Sequence, residues 1–547
     1  MRQTYSIKTK KTNVKIILRG NYKKIFNSKK YCIIGNFGKF IIKDKIFDID
    51  QIENLINEIN IETLICNSVG KFLILDKVNE RIFLSFSFGS IYFLKNTIFA
   101  NYEKDLFKFV KKRKIHDLNF SLNSHRNISP YPLNGFIEGI KRLPPGFCYE
   151  IKNKNYHFIQ SSNKKIYKAS FKEYVGILEI IFSIYKKEYK KSFELAFSGG
   201  MDSTVLFIML IKNKIPFQAY HNIGNNHHQD IAYLLCESFC KKYKIKLTLR
   251  HKKKLNYNEL LKELSFFYFF HFKLNQLNKL SYPNKKNYIV GQNLDTLYYI
   301  DTFSPNTYRL LHKRYFGILT SVHLRFMNTE TYIKLQNIFL KLLSKNLNSF
   351  YNKRYLNIWC SIDEHTHSFS KLNLKFVKRK KSFKNEILPF LSKKNDSVSV
   401  LQNFKTIKFL RFVINTNTLY EAYQEHYNCN IITPYSESLM HSYFFNRNIK
   451  FYEIFYIKYL QDLIFIKFKK INFHYFQIVL KIKSKILTIF NKRILPKKKI
   501  SRMDNNLKLI KEIAKKQNIK LPKKMHQKVF DNEDLYLKYI NFSQYIK

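Results

Sequence analysis

The segment from Leu195 to Val205 constrains the fold of this chain more than any other stretch. It reads Leu-Ala-Phe-Ser-Gly-Gly-Met-Asp-Ser-Thr-Val, and apolar residues continue to Ile211. Two adjacent glycines let the backbone turn sharply and approach an anion without interference from a Cβ atom, and the N–H groups that open the following helix favour phosphate. The segment therefore predicts a strand, a phosphate-binding loop and a helix. The loop is not of the Walker type, because no Gly-Lys-Ser/Thr follows.

Length and composition indicate a folded protein of two or three domains, since 547 residues exceed one typical core. The formal charge is +58, from 97 Lys and Arg against 39 Asp and Glu. The lysines are spread along the whole chain, and Asn, Ile, Phe and Tyr are abundant too. This pattern indicates a general compositional bias rather than one basic patch, so we do not expect a nucleic-acid partner, although affinity for acidic partners stays open.

The cysteines and the distribution of apolar residues indicate in which cellular compartment the protein is expected. The seven cysteines include no CxxC pair, and an odd number in a long chain favours free buried thiols in a reducing compartment. The first residues, although basic, lack the apolar core of a signal peptide. There is no run of about 18 apolar residues. We therefore expect a cytoplasmic protein with no membrane span.

The chain changes character near residue 170. Before it, short alternating runs such as Tyr31–Ile34, Lys71–Leu75, Ile82–Phe86 and Ile91–Leu94 predict a β-rich unit. Within that part, Gly139–Gly146 is interpreted as a rigid turn between strands. The polar stretch Tyr156–Tyr174 is interpreted as a linker.

The next 130 residues alternate between helical and strand patterns. In chain order we predict a helix at Tyr174–Lys187, a strand at Phe193–Phe197, a helix ending near Asn213, a strand at Phe217–Asn222, a helix at Gln229–Tyr243, and strands at Lys246–Arg250 and Tyr288–Val290. Such alternation implies a parallel, doubly wound sheet, whose ligands bind at the carboxyl ends of the strands. The Ser198 loop and the loop Gly291–Asp295 both lie at such ends. Residues after about 300 are predicted to be mostly helical.

Three motifs together carry a family resemblance. The SGGMDS loop at Ser198–Ser203 resembles the signature of ATP pyrophosphatases. About 50 residues earlier, Gly139-Ile-Lys-Arg-Leu-Pro-Pro-Gly146 resembles the Ile-Lys-x-Leu-Pro-Pro-Gly turn of the asparagine synthetase family, and Gly70-Lys-Phe with Asp76 resembles its Gly-x-Phe…Asp strand pair. Over nearly its whole length the chain resembles this family and its relatives, the β-lactam synthetases and lasso-peptide cyclases.

The resemblance implies a fold and a set of site residues. It implies a glutaminase-like β-rich sandwich at 1–165 and an ATP-pyrophosphatase domain, with a doubly wound parallel sheet and a large helical region, at 166–547. The ATP-binding residues it implies are Leu195, Ser198, Gly199, Gly200, Asp202, Ser203, Ile223 and Gly291. Mg²⁺ would be held by Asp202 and Asp295, because magnesium prefers carboxylate and phosphate oxygens. The implied catalytic set is Asp202, Asp295, Gln292 and Lys499.

Three positions depart from the family. Glutamine-dependent members use a cysteine as the second residue, and this chain has Arg2 there, so the first domain is expected to lack glutaminase activity. Gln292 stands where asparagine synthetases carry Glu and β-lactam synthetases Tyr. The family's catalytic Lys falls on Asn505. The candidates to replace it are Lys497, Lys498, Lys499 and Lys508, of which Lys499 is our choice.

The expected function is amide formation by an ATP-dependent ligase. A substrate carboxylate is adenylated, giving pyrophosphate, and an amine that does not come from glutamine then displaces AMP. Ring closure of a peptide to a macrolactam fits this best, with a precursor peptide as substrate and a partner protease. The alternative is asparagine synthesis from aspartate and ammonia. Two other classes stay open, a tRNA-modifying ATP pyrophosphatase and a non-catalytic scaffold.

Overall fold

The computed structural model describes residues 2–111, 133–135, 137–159, 167–168, 171–189, 192–199, 201–223, 228–251, 287–291, 388–391, 406, 409–445, 447–448 and 515. Within these residues the protein is a mixed α/β fold with several sheets, including a five-stranded parallel sheet. The predicted class is therefore confirmed at this level.

The described residues among the first 160 form three sheets. Their strands are β1 (Arg2–Lys8), β2 (Asn13–Arg19), β3 (Lys23–Asn27), β4 (Tyr31–Gly35), β5 (Lys39–Ile42), β6 (Lys45–Asp48), β7 (Ser68–Val69), β8 (Phe72–Asp76), β9 (Arg81–Leu84), β10 (Ile91–Leu94), β11 (Ile98–Ala100), β12 (Lys141–Leu143), β13 (Phe147–Glu150) and β14 (Asn155–Phe158). The sheet orders are β1-β2-β11-β10-β12, β14-β13-β9-β8-β4-β3 and β6-β5-β7. Two short helices, α1 (Ile52–Ile56) and α2 (Ile61–Cys66), connect β6 to β7.

Aromatic side chains pack the two larger sheets against each other. The ring centroid of Phe93 in β10 lies 4.5 Å from that of Tyr149 in β13, and Phe99 in β11 lies 6.5 Å from Tyr149. Each such ring removes about 150–250 Å² from water on burial. Because successive strand residues point to opposite faces, every second residue of these short strands reaches this core.

The second half is built around the parallel sheet. Its elements are β15 (Tyr167–Lys168), α3 (Phe171–Glu188), β16 (Phe193–Ala196), α4 (Met201–Lys212), β17 (Phe217–Ile223), α5 (His228–Tyr243), β18 (Leu247–His251), β19 (Asn287–Ile289), α6 (Ile414–Tyr427), β20 (Asn430–Ile432), α7 (Ser438–Phe445) and β21 (Arg447–Asn448). Strands β16 to β20 lie in the order β18-β17-β16-β19-β20, and every pair is parallel. β17 and β18 lie on one side of β16, and β19 and β20 lie on the other.

Helix α4 is deeply buried beside this sheet. Its residues Val205–Leu210 are all buried, and the ring of Phe207 contacts Phe197 at 4.9 Å and Phe217 at 5.1 Å between centroids. A helix that is apolar on all sides belongs inside a protein. The core therefore fixes where the first turn of α4 stands. Of the helices described, none is both long and apolar enough to cross a membrane.

Most of the predicted elements are confirmed, with ends shifted by no more than three residues. The prediction of a linker at Tyr156–Tyr174 was wrong at both ends. Tyr156 lies in β14, a sheet-edge strand whose polar residues face solvent, and Tyr174 lies in α3. The predicted turn Gly139–Gly146 contains β12, with one turn before this strand, where Gly139 has φ +85°, and one after it, where Gly146 has φ +70°.

Among the described residues, two strands, β20 and β21, lie in the region that was predicted to be mostly helical. β20 is three residues long and pairs with β19, so its short apolar sequence gave no independent strand signal. Most of the remaining residues after 300 lie outside the described part of the chain.

Candidate functional site

The two predicted loops meet at one edge of the parallel sheet. β16 leads into the Ser198 loop, β19 leads to Gly291, and the two strands are direct neighbours. Because β17 lies on the other side of β16, the chain order reverses between β16 and β19. In open parallel sheets, ligands bind in the crevice at such a reversal, outside the carboxyl ends of the strands.

The Ser198 loop has the shape that its sequence predicts. Gly199 has φ +71°, a conformation that costs glycine little, and α4 begins two residues later at Met201. The Ser198 N–H donates to Ser203 Oγ at 3.2 Å, and the two serine hydroxyls lie 3.1 Å apart. Ser198 is exposed and Asp202 is half-buried. The loop thus brings hydroxyls, a carboxylate and a helix N-terminus together, which suits an anion and its metal ion.

Gly291 touches the start of α4. A Cβ atom at this position would lie 2.9 Å from both the Asp202 carbonyl carbon and the Ser203 nitrogen. Such a distance is too short for non-bonded atoms, so only glycine allows this contact without a shift. Gly291 therefore packs directly against the first turn of α4.

The other predicted ATP-binding residues that the structure describes are Leu195 and Ile223. Leu195 is fully buried in β16, beneath the loop. Ile223 is the last residue of β17, at the same sheet edge. The predicted residues Gly200, Gln292, Asp295 and Lys499 lie outside the described residues. Within the described part of the chain, no cluster of three or more His, Cys, Asp or Glu side chains could hold a metal ion.

Side chains from later elements hold the loop at both ends. The Phe197 carbonyl lies 2.9 Å from His221 Nδ1 and accepts from Cys236 Sγ at 3.3 Å. The Tyr435 hydroxyl donates to the Asp202 carbonyl at 3.0 Å. Sequence reasoning missed these contacts.

The position expected for a nucleophilic cysteine is occupied by a structural ion pair. Arg2 Nε in β1 lies 3.6 Å from Asp105 Oδ1, and Arg19 binds the same carboxylate with two contacts of 2.7 Å. Asp105 is buried, so the two arginines balance its charge. Nothing in this arrangement resembles a nucleophile and its base.

The cysteines of the first half are buried rather than reactive. Burial raises the pKa of Cys66 to about 12, and it raises the pKa of Cys148 and Cys32 as well. A thiol with a raised pKa holds its proton near neutral pH and is a weak nucleophile. The six described cysteines are free and buried, as predicted.

A second polar region joins the N-terminal sheets to α6. The Glu421 carboxylate accepts from the Gly89 N–H at 2.9 Å, from the Tyr22 hydroxyl and from Asn101 Nδ2 at 3.4 Å. Nearby, Thr418 Oγ1 accepts from the Ser90 N–H at 3.2 Å. These bonds join residues more than 300 positions apart in the sequence.

Two further charged groups lie in the same interface. Glu437 accepts from the Gly70 N–H at 2.8 Å and from the Tyr185 hydroxyl at 2.6 Å, and burial raises the pKa of Glu437. Lys71 Nζ donates to the Ile431 carbonyl at 3.0 Å and to Gln424 Oε1 at 3.1 Å, and burial lowers the pKa of Lys71. We call the region formed by Thr418, Glu421, Glu437, Lys71 and their hydrogen-bond partners the buried polar interface. Its charged side chains are buried, and their hydrogen bonds are made within the protein.

No protein-family model matches this chain, and no curated protein matches it.

Proposed function

We propose that this protein is an ATP-dependent ligase that forms an amide bond by adenylating a carboxylate, with the ATP site at the Ser198 and Gly291 loops. The proposal includes a glutaminase-like domain at 1–165 and an ATP-pyrophosphatase domain at 166–547. One observation carries it. Asp202 and Ser203 of the SGGMDS sequence are in contact with Gly291 at the reversal point of a parallel sheet, where open sheets of this kind bind their ligands.

The residues present suit ATP and magnesium. The N-terminus of the 12-residue helix α4 favours the pyrophosphate part of ATP, and the hydroxyls of Ser198 and Ser203 add donors. The carboxylate of Asp202, together with that of Asp295, would hold Mg²⁺, which neutralises negative charge on the phosphates. A residue such as Lys499 would complete the electrostatic stabilisation of the leaving group.

In the proposed reaction, a substrate carboxylate oxygen attacks the α-phosphorus of ATP. The bond from the α-phosphorus to the bridging oxygen breaks, and pyrophosphate leaves onto the loop. An amine then attacks the acyl-adenylate, and AMP leaves with the electron pair of the broken acyl–oxygen bond. The loop and Gly291 contribute mainly by positioning the triphosphate for in-line attack.

The amine source follows from the first half of the chain. With Arg2 bound to Asp105, and with Cys32, Cys66 and Cys148 buried, the described residues there offer no thiolate to release ammonia from glutamine. The amine therefore comes from the substrate or from free ammonia. We propose macrolactam closure of a peptide, and asparagine synthesis from aspartate and ammonia is the second candidate. Six free buried cysteines fit a reducing compartment such as the cytoplasm.

The test measures AMP formation from Mg·ATP with candidate carboxylates, namely precursor-type peptides and aspartate with ammonia. Asp202→Asn and Asp295→Asn are each expected to reduce the rate about 100-fold or more, since they remove charge that stabilises the transition state. Asp48→Asn, at a side chain that is 62% exposed in the first half, is the matched control and should keep the wild-type rate. Retention of activity in both site variants would show that the metal ligands are elsewhere.

A further inference from the structure

The Ser198 loop is fastened at the carbonyl that precedes it and at a carbonyl in the first turn of α4. His221 and Cys236 bind the Phe197 carbonyl, and Tyr435 binds the Asp202 carbonyl. These two carbonyls bracket the four residues from Ser198 to Met201. None of the three side chains belongs to the loop itself.

The planarity of the peptide unit makes these contacts relevant to anion binding. In a trans peptide the C=O of one residue and the N–H of the next point in opposite directions within one plane. Holding the Phe197 carbonyl therefore orients the Ser198 N–H, which donates to Ser203 Oγ. Holding the Asp202 carbonyl orients the Ser203 N–H, one of the first N–H groups of α4.

His221 is set to act as the donor in its contact. Its Nδ1 faces a carbonyl oxygen, which can only accept, so Nδ1 carries the hydrogen. Its Nε2 is buried and has no hydrogen-bond partner among the described residues, and the histidine is 4% exposed. The hydrogen that the ring carries is thus directed at the loop.

Tyr435 is fixed by contacts that do not involve the loop. Two residues later, Glu437 binds the Gly70 N–H and the Tyr185 hydroxyl, and Ser438 Oγ accepts from the Phe86 N–H at 3.1 Å. Tyr435 itself is fully buried. The N-terminal sheets therefore anchor the segment that carries the Tyr435 hydroxyl to Asp202.

From this geometry we propose that His221 and Tyr435 are positioning residues, which hold the Ser198 loop and the first turn of α4, with the Ser203 hydroxyl and N–H, in the arrangement that binds the pyrophosphate part of ATP. The inference rests on the proposed function. Donors that are already oriented need no reorganisation when the anion arrives. It also gives the N-terminal sheets a role without glutaminase chemistry, because they brace the segment that holds one end of the loop.

The test is a calorimetric titration of the full chain with Mg·ATP and, separately, with AMP. Tyr435→Phe and His221→Phe each remove one hydrogen bond to the loop. We expect each to weaken Mg·ATP binding about five- to tenfold, the worth of one such bond, and to leave AMP binding unchanged. His221→Asn keeps an N–H donor near the Nδ1 position and should restore most of the affinity. Tyr22→Phe is the matched control, since it removes a buried hydroxyl contact to Glu421 away from the loop, and it should bind both ligands as wild type does.

The outcomes separate the two proposals. If the wild type binds Mg·ATP and both loop variants bind it equally well, the positioning role is wrong and the ATP site stands. Equal losses for Mg·ATP and AMP would also overturn the positioning role, because they indicate general disruption. If the wild type binds no Mg·ATP, the proposed function fails and this inference fails with it. Should His221→Phe not fold, His221→Asn and Tyr435→Phe still test the two ends of the loop independently.

Discussion

The carboxyl edge of the parallel sheet and the buried polar interface are both rich in polar groups, but they differ in exposure. At the sheet edge Ser198 is exposed and Asp202 is half-buried. At the interface Glu421, Glu437 and Lys71 are buried and hydrogen-bonded within the protein. Polar groups that bind one another in the interior stabilise a fold, whereas polar groups beside an accessible helix N-terminus can bind a ligand.

This difference assigns a separate consequence to each region. Substitutions in the buried polar interface should lower the free energy of unfolding, and substitutions at the sheet edge should weaken nucleotide binding. Tyr435 and Glu437, two residues apart, link the two regions. If substitutions in either region lowered both the free energy of unfolding and the nucleotide affinity to the same extent, the two regions would not have separate roles.

The largest effect on stability is expected for Glu421→Ala. The change leaves the Gly89 N–H and the Tyr22 hydroxyl without their buried acceptor, which should lower the free energy of unfolding by about 3 kcal/mol. Urea denaturation followed by circular dichroism measures it.

The matched control for that change is Glu62→Ala. Glu62 is 35% exposed and lies 3.7 Å from Arg81, and surface ion pairs of this kind contribute at most about 1 kcal/mol. Equal losses of stability in the two variants would show that Glu421 is not part of a stabilising interface.

A smaller effect, on binding rather than stability, is expected for Gly291→Ala. The new methyl group would meet the backbone of Asp202 and Ser203 at 2.9 Å and separate the two loops. Because Gly291 or the first turn of α4 must move to relieve this contact, we expect Mg·ATP binding to weaken about fivefold, or about 1 kcal/mol, in titration calorimetry.

Gly176→Ala serves as the glycine control. A Cβ atom at Gly176 in α3 would meet nothing within 4 Å. Alanine should stabilise the helix by about 0.5–1 kcal/mol and leave the nucleotide affinity unchanged. Unchanged Mg·ATP binding in Gly291→Ala would argue against a nucleotide between the two loops.

The smallest effect is a change in the pH dependence of stability. Because the pKa of Glu437 is raised in the folded state, its contribution to stability is complete below the ordinary pKa of glutamate and is lost as the pH rises through the raised value. Glu437→Gln should therefore gain stability relative to wild type on going from pH 4 to pH 8, as measured by urea denaturation at each pH.

Glu150→Gln is expected to change the pH dependence of stability in the opposite direction. A side-chain hydrogen bond from Asn153 lowers the pKa of Glu150, so its contribution is present above the ordinary glutamate pKa and is lost in acid. Glu150→Gln should lose stability relative to wild type over the same pH rise. Parallel curves for wild type and Glu437→Gln would contradict the assignment of Glu437 as a buried carboxylate.

The sequence predicts the parts of the site that depend on local patterns. The Ser198 loop follows from an apolar strand, two glycines and a helix start within a few residues, and Gly291 follows from a glycine directly after an apolar strand. The parallel sheet follows from alternating helical and strand patterns, although β20 was missed because three residues carry too little signal.

Contacts between distant residues could not be predicted in this way. In the sequence pattern His221 is an ordinary residue of a predicted strand. Its contact with the Phe197 carbonyl depends on how β17 lies beside β16. Tyr435 binds Asp202 across 233 positions, and Glu437 binds Gly70 across 367. Periodicity carries no information on such pairs, because they are set by the packing of segments that are far apart in the sequence.

The central claim is that the carboxyl edge of the parallel sheet binds Mg·ATP through the Ser198 loop. A crystal structure with Mg²⁺ and the α,β-methylene analogue of ATP, which cannot release pyrophosphate, tests it most directly. We predict terminal phosphates within hydrogen-bond distance of Ser198 and Ser203, with the nucleotide between the Ser198 loop and Gly291. A nucleotide bound elsewhere, or none at saturating concentration, would contradict the account.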